Sequence, residues 1–437
     1  MKVEVISKEI IKPSLPTPQH LKTFNLSLLD QLSPSFYVPL ILFYGAAAPD
    51  ATDHHRSDML KRSLSETLTR FYPVAGRIKD NNNIYVDCND DGVDYFEVRI
   101  NCTVSDFMSA TDELDQLLPS HIVANNNSDV QGAHITVCMS HKIADASTLV
   151  TFINCWAATV RGATEIVYPT FDSASLFPPC RELVVSSLGP AKTVTAGMTI
   201  STREQRVVIK RFVFDAAKMA ALRARIMDMA SSTVKNPTRV EAVSALIWKS
   251  AMEVSRVKSE EGSLSKRGKT PIFVVNHGVN LRGRMDPPLP KVSFGNLVIV
   301  ATATSTSEPR VGNHELDGLV GQLRDAINKI NGDYIGKVLQ SGEFLKSVAN
   351  KEEEAAADKV DVEVYWMTSW CRFPVYEADF GWGKPIWVTT TGGNSLPYKN
   401  IVILIDTRCG EGIEALVTLL EEDVVLFERN LELLVKN

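Results

Sequence analysis

Of the eight histidines in the chain, His141 has the setting that best suits a general base. An unperturbed imidazole titrates near neutral pH, so it can accept a proton without help. His141 opens His141-Lys142-Ile143-Ala144-Asp145, directly after the apolar run Ala133–Met139. If this stretch is helical, Asp145 shares a face with His141. If it is a turn, Asp145 points away and needs a basic partner. H-x-x-x-D is a short pattern, and a buried histidine satisfied by a backbone carbonyl would match it equally well.

Two distant segments offer partners. In Ala378–Pro385, Phe380 and Trp382 alternate with Asp379, Gly381 and Gly383. Glycine permits close backbone approach there. Asp379 and Phe380 read as a turn with an aromatic anchor, and the Trp382 indole N–H is a candidate donor to a developing oxyanion. In Val279–Asn296, a strand delivers Asn280 and Arg282, and prolines then hold the chain extended. A buried Asp145 would need a cation, and the planar guanidinium of Arg282 suits a carboxylate. Such a pair would shape the site without moving the proton.

Other patterns carry less. Gly410–Ala415 fits G-x-G-x-x-A, but Glu411 would sit where a pyrophosphate must and no second βα unit follows. There is no P-loop and no G-x-S-x-G. His54-His55 reads as a polar loop and no metal is expected. Cys138 and Cys155 have apolar neighbours that raise a thiol pKa and make it a poor nucleophile. Lys266, Arg267 and Lys269 form a basic knot, either a solvated loop or donors to cofactor phosphates. Phe36, Tyr37 and Leu40, in Ser33–Tyr44, are either acceptor pocket or plain core.

The elements that must position these residues are legible in outline. Leu60, Leu64, Leu68 and Phe71 recur at helical spacing up to Pro73. Leu149, Val150, Phe152, Ile153, Trp156, Ala157 and Val160 predict a helix over 146–160, with Gly162 as its C-cap. Thr238-Arg239-Val240-Glu241 is a capping box ahead of another helix. Phe96, Val98 and Ile100 alternate as in a half-buried strand. Ala133–Met139, Pro271–Val279, Ile386–Thr391 and Asn400–Asp406 are further strand candidates. Val184–Gln205, rich in Ser, Thr, Gly and Ala, is the best linker, and Lys351–Asp361 is an acidic helix or loop.

The 437 residues allow two or three domains, with 44% hydrophobic and 22% charged residues. A net charge of −6 argues against nucleic acid as the main partner. Seven cysteines without a C-x-x-C fit reduced thiols. Met1–Ser14 has no long apolar stretch, and no run reaches membrane-spanning length. The expectation is a cytoplasmic protein without a membrane partner.

HKIAD, DFGWGKP (Asp379–Pro385) and VNLRGRMDPPLPKVSFGN (Val279–Asn296) together resemble the BAHD family of plant CoA-dependent acyltransferases, and within it the alkaloid O-acetyltransferases. Lys12–Gln31, Leu64–Arg77, Phe171–Pro179 and Cys409–Asp423 extend the resemblance over nearly the whole chain. It implies an α/β protein of two chloramphenicol acetyltransferase-like domains with mixed sheets and an active-site channel between them. The expected domains are 1–184 and 206–437, joined by a crossover linker, 185–205, with a stretch near 379–403 packing on the first domain. The resemblance makes His141 the base, Asp145 structural with Arg282 as its partner, and Asp379 to Gly383, including Gly381, structural. Acetyl-CoA is the expected co-substrate, with Ser293 and Asn296 of the SFGNL stretch at the cofactor. The expected acceptor is a small-molecule alcohol, and the expected state is a monomer. One departure stands out: Asn125–Gly132 runs almost straight into Ala133–Met139, about one strand shorter than the family pattern. It motivates an alternative, a catalytically weak or inactive alkaloid-binding homologue.

Overall fold

The computed structural model describes residues 3–45, 53–79, 84–109, 111–118, 133–180, 206–229, 234–260, 271–306, 315–341, 362–391 and 398–436. In chain order its strands are β1 (Val3–Ile11), β2 (Thr23–Asn25), β3 (Tyr37–Tyr44), β4 (Arg77–Ile78), β5 (Tyr85–Asp87), β6 (Val93–Ile100), β7 (Ala133–Ser140), β8 (Val207–Phe214), β9 (Ile272–Asn280), β10 (Val298–Thr306), β11 (Val362–Ser369), β12 (Trp387–Thr389), β13 (Ile401–Asp406) and β14 (Ile413–Leu420). Its helices are α1 (Leu28–Leu32), α2 (Asp53–Arg70), α3 (Val104–Ser109), α4 (Ala146–Val160), α5 (Ser173–Leu176), α6 (Ala216–Asp228), α7 (Arg239–Glu260), α8 (Leu316–Asn328), α9 (Gly332–Ser341) and α10 (Val424–Lys436).

The chain divides into two compact units. The first takes Met1–Val194, Pro288–Leu297 and Phe373–Thr391; the second takes Thr195–Pro287, Val298–Arg372 and Gly392–Asn437. Each unit is therefore discontinuous in sequence. The linker stretch 185–205, the basic knot at Lys266, Arg267 and Lys269, the shortened stretch Asn125–Gly132 and the acidic stretch Lys351–Asp361 all lie outside the described residues.

In the first unit β3 is the middle strand of the sheet β12-β3-β7. Its run YVPLILFY is buried continuously from Pro39 onward, as expected for a strand covered on both faces. Pro39 lies past the last β12 pair, Thr389 with Ile41, so its missing N–H is not needed by that ladder. β7 pairs antiparallel with β3, Ser140 facing Tyr37 and Ala133 facing Tyr44. Helix α4 packs on α2 and buries the apolar face expected from its spacing. It ends as predicted, with Gly162 at φ +64°, a left-handed turn that costs glycine little. An aromatic cluster joins Phe24, Phe71, Tyr72, Phe171 and Phe294 through edge-to-face and tilted contacts, with centroids 4.9–6.5 Å apart.

The second unit is built on a six-stranded mixed sheet, β10-β9-β11-β13-β14-β8. Strands β9, β11 and β13 run parallel; the other neighbours are antiparallel. β9 alternates strictly, burying Phe273, Val275, His277 and Val279. The capping box of α7 forms as read from sequence, Glu241 N–H donating to Thr238 Oγ1 (3.1 Å) and Thr238 N–H to Glu241 Oε2 (2.8 Å). Gly410 to Gly412 forms the turn between antiparallel β13 and β14, so the dinucleotide-like pattern there lacks the strand-to-helix context it requires.

Candidate active site

His141 occupies a turn between a strand and a helix that are both fixed. Its backbone N–H donates to Phe36 O (2.8 Å), adding one rung to the β3–β7 ladder. Four residues later Asp145 takes extended backbone angles and caps α4, its Oδ1 accepting from Thr148 N–H (2.8 Å). The turn reading of HKIAD therefore holds: Asp145 is an N-cap and does not share a helical face with His141.

The segment Ser293–Leu297 is clamped against this turn. Leu297 N–H donates to Asp145 Oδ2 (3.1 Å), and Thr148 Oγ1 donates to Gly295 O (3.0 Å). Gly295 has φ +119°, an angle that favours glycine, and a Cβ there would crowd Ser173 Oγ at 3.0 Å. Phe294 anchors the segment in the aromatic cluster, and its N–H donates to Thr170 O (2.8 Å).

That clamp carries Asn296 to the imidazole. Asn296 Oδ1 lies 3.0 Å from His141 Nδ1. Asn296 Nδ2 donates to His141 O (2.7 Å) and to Asp30 Oδ1 (2.9 Å), which also accepts from Asn296 N–H (2.7 Å). Both partners of Nδ2 are pure acceptors, so the amide orientation is decided: the oxygen faces the imidazole. An amide oxygen cannot donate, so Nδ1 must carry the proton. The lone pair of neutral His141 is then on Nε2. Burial pushes the His141 pKa below the ordinary imidazole value, against the pull of its own carbonyl, Asp145 and Asn296. The neutral, base-competent form is thereby favoured.

The layer behind is buried and charged. Asp30 accepts from Ser27 N–H (2.8 Å) and Ser27 Oγ (2.6 Å) as well as from Asn296. Burial raises its pKa and the four hydrogen bonds oppose that rise. Lys142, 2% exposed, donates from Nζ to Gln31 O (2.8 Å). Burial lowers its pKa to about 8, with Asp30 acting in the opposite sense.

The sequence candidates separate accordingly. Phe36 stands edge-on to His141, centroids 5.4 Å apart at 90°. Tyr37 is 66% exposed at the start of β3, whereas Leu40 is fully buried core. Asn296, expected at the cofactor, is instead 2% exposed with its side-chain amide committed to His141 and Asp30. Ser293 is buried, its Oγ accepting from Thr170 Oγ1 (3.1 Å). Arg282 belongs to the second unit, where its backbone N–H (3.0 Å) and a guanidinium N–H (3.3 Å) donate to Asn280 Oδ1.

Trp382 corrects the oxyanion expectation. Its ring lies 6.0 Å from Tyr44, 5.7 Å from Phe380 and 5.8 Å from the Arg56 guanidinium. Tyr44 ends β3 and Tyr37 begins it, seven residues or about 23 Å apart. His141 continues the ladder at the Tyr37 end, so the indole N–H is far beyond hydrogen-bond reach of it. Around Trp382, Asp379 Oδ1 accepts from Gly381 N–H (2.8 Å) and Gly383 N–H (3.0 Å). Both glycines have φ near +100°, and Tyr44 Oη donates to Ala378 O (2.7 Å). Asp30, Ser27, Lys142 and Thr148 were not singled out from sequence. Ser27-Leu28-Leu29-Asp30 does read as a helix cap, which hides its second task.

Comparison with known proteins fits this arrangement. The Transferase family model matches residues 1–434. Salutaridinol 7-O-acetyltransferase of Papaver somniferum is 43% identical, covering 98% of this chain and 97% of its own. The (13S,14R)-1,13-dihydroxy-N-methylcanadine 13-O-acetyltransferase of the same plant is also 43% identical, with the same coverage. These alignments run over 482 and 479 positions, more than the 437 residues of this chain, so the relatives carry stretches it lacks. The crystal structure of vinorine synthase superposes with a TM-score of 0.76 at 37% identity, covering 97% of this chain and 96% of that one. The chain belongs to the Transferase family, the BAHD acyltransferases, and is an O-acyltransferase by that membership.

Proposed function

We propose that this enzyme transfers acetyl from acetyl-CoA to a hydroxyl of a plant alkaloid of the benzylisoquinoline or morphinan type, as a cytoplasmic monomer. The observation that carries the mechanism is the pairing of His141 Nδ1–H with Asn296 Oδ1. It leaves Nε2 as proton acceptor. The acceptor hydroxyl gives its proton to Nε2 while its oxygen attacks the thioester carbon. The tetrahedral oxyanion collapses, the C–S bond breaks, and the CoA thiolate takes the proton back from His141. No acyl-enzyme intervenes. The residue facing Nδ1 is an amide, and burial raises the nearby Cys138 thiol to about 12, which leaves it protonated and unreactive. Phe36, edge-on to the imidazole, offers an apolar wall to a polycyclic acceptor. The choice of acetyl and of an alkaloid hydroxyl rests on the names of the two 43% identical relatives.

The alternative is an alkaloid-binding homologue with weak or no turnover. Two observations favour it: the alignments to those relatives are longer than the chain, and β7 has no strand on its outer edge among the described residues. The discriminating experiment incubates purified protein with acetyl-CoA and a panel of morphinan and benzylisoquinoline alcohols, with mass spectrometry for ester. Ester formed by wild type and lost in His141→Gln supports the transferase. Saturable alkaloid binding with no ester from any acyl-CoA supports the alternative.

A further inference from the structure

We propose that Asp30 is a positioning residue for His141, holding the Asn296 amide in the one orientation that leaves Nε2 of the imidazole unprotonated. The proposal rests on the reading of His141 as the base. Asp30 lies fully inside the first unit, and all four of its acceptor positions are filled: two by Asn296 N–H and Nδ2, two by Ser27 N–H and Oγ. A carboxylate offers no donor, so it accepts only the NH2 end of Asn296. The other end, the oxygen, then faces His141 Nδ1 and demands a proton there. The polarity runs from carboxylate to amide to imidazole without any proton moving. His141 O reinforces it by accepting the second Nδ2 hydrogen (2.7 Å).

The buried carboxylate is sustained by its surroundings. Lys142 places a buried cation in the same layer, its Nζ on the carbonyl of Gln31, next in sequence to Asp30. The contribution of Asp30 also differs from ordinary helix capping. Ser27 and Asp30 together form the α1 capping box, but only Asp30 Oδ1 reaches Asn296. Capping and positioning therefore reside on different oxygens of one side chain.

The test separates them. In Asp30→Asn the amide cannot satisfy four donors, so the restraint on Asn296 weakens; kcat should fall about 10- to 100-fold, the range for residues that orient a functional group, with KM for acetyl-CoA within about threefold. Ser27→Ala removes one cap donor and lowers the melting temperature, with a smaller fall in kcat than Asp30→Asn, because the Oδ1 contacts persist. The decisive readout is ¹⁵N NMR of labelled histidine, with the His141 signals assigned by their loss in His141→Gln. Wild type should show protonated Nδ1 and bare Nε2; Asp30→Asn should gain the Nε2–H tautomer. Unchanged kcat and tautomer in a folded Asp30→Asn would overturn the proposal, as would an Nε2–H tautomer in wild type, which needs no folded variant. Full activity in His141→Gln would instead remove the base reading itself.

Discussion

The His141 turn and the DFGWG loop are both short segments of the first unit, and each stands beside β3, one at either end. They use their polar groups in different ways. In the loop, the Asp379 carboxylate is consumed by the N–H groups of Gly381 and Gly383 two and four residues on, and Phe380 and Trp382 close an aromatic stack with Tyr44 and Trp156. At the turn, partners come from far along the chain: Asn296 reaches His141 across 155 residues, and Asp30 reaches Asn296 across 266. Local satisfaction builds a closed turn around the buried Phe380. Long-range satisfaction aims one lone pair and leaves it unspent. A motif containing Asp, Gly and Trp is therefore not catalytic by composition: Trp382 Nε1 has no hydrogen-bond partner among the described residues either, and what matters is where along the fold the available polar atom lies.

This contrast can be broken or sharpened by substitution. The largest effect belongs to the turn: His141→Gln should lower ester formation by about 10²- to 10⁴-fold with an unchanged melting temperature, measured by product mass spectrometry and circular dichroism. The loop should answer in stability instead. Phe380 is fully buried, so Phe380→Ala should cost about 3–5 kcal/mol in chemical denaturation. Trp382→Phe keeps the stack and should leave kcat within about threefold; a loss of 100-fold would restore the indole to the chemistry. A smaller effect concerns acid. Burial depresses the His134 pKa to about 4 from 6.5. The unfolded chain binds that proton first, so stability should decline as pH falls from about 6.5 to about 4. His134→Phe should flatten that decline in thermal melts, since its neighbour across the ladder is Phe43.

Much of the fold was legible because it is written locally. The apolar spacing of α4, its Gly162 end, the α7 capping box and the strict alternation of β9 all follow from neighbours within a few residues. His141 was legible for the same reason, standing at a strand-to-helix junction. The site around it was not. Asn296 sits in an SFGN stretch whose spacing gives no hint of an imidazole partner, and Asp30 already has an adequate local explanation as a helix cap. Lys142 reads as a surface residue until burial is known. Trp382 was misread because an indole N–H among glycines looks available, and only the length of β3 shows how far away it lies. Charge pairings and hydrogen bonds across long sequence separation depend on tertiary register, which periodicity does not encode.

The central claim is that the proton acceptor is His141 with its Nδ1–H held by Asn296, and the pH dependence of kcat/KM in wild type and Asn296→Ala tests it most directly. Burial lowers the His141 pKa and the Asn296 contact raises it. The wild-type profile should therefore show an acidic limb below the ordinary imidazole value, with activity lost as the pH falls through it. Asn296→Ala should move that limb to still lower pH and reduce the plateau. A limb that stays in place when Asn296 is removed, or activity that lacks an acidic limb altogether, would contradict the account.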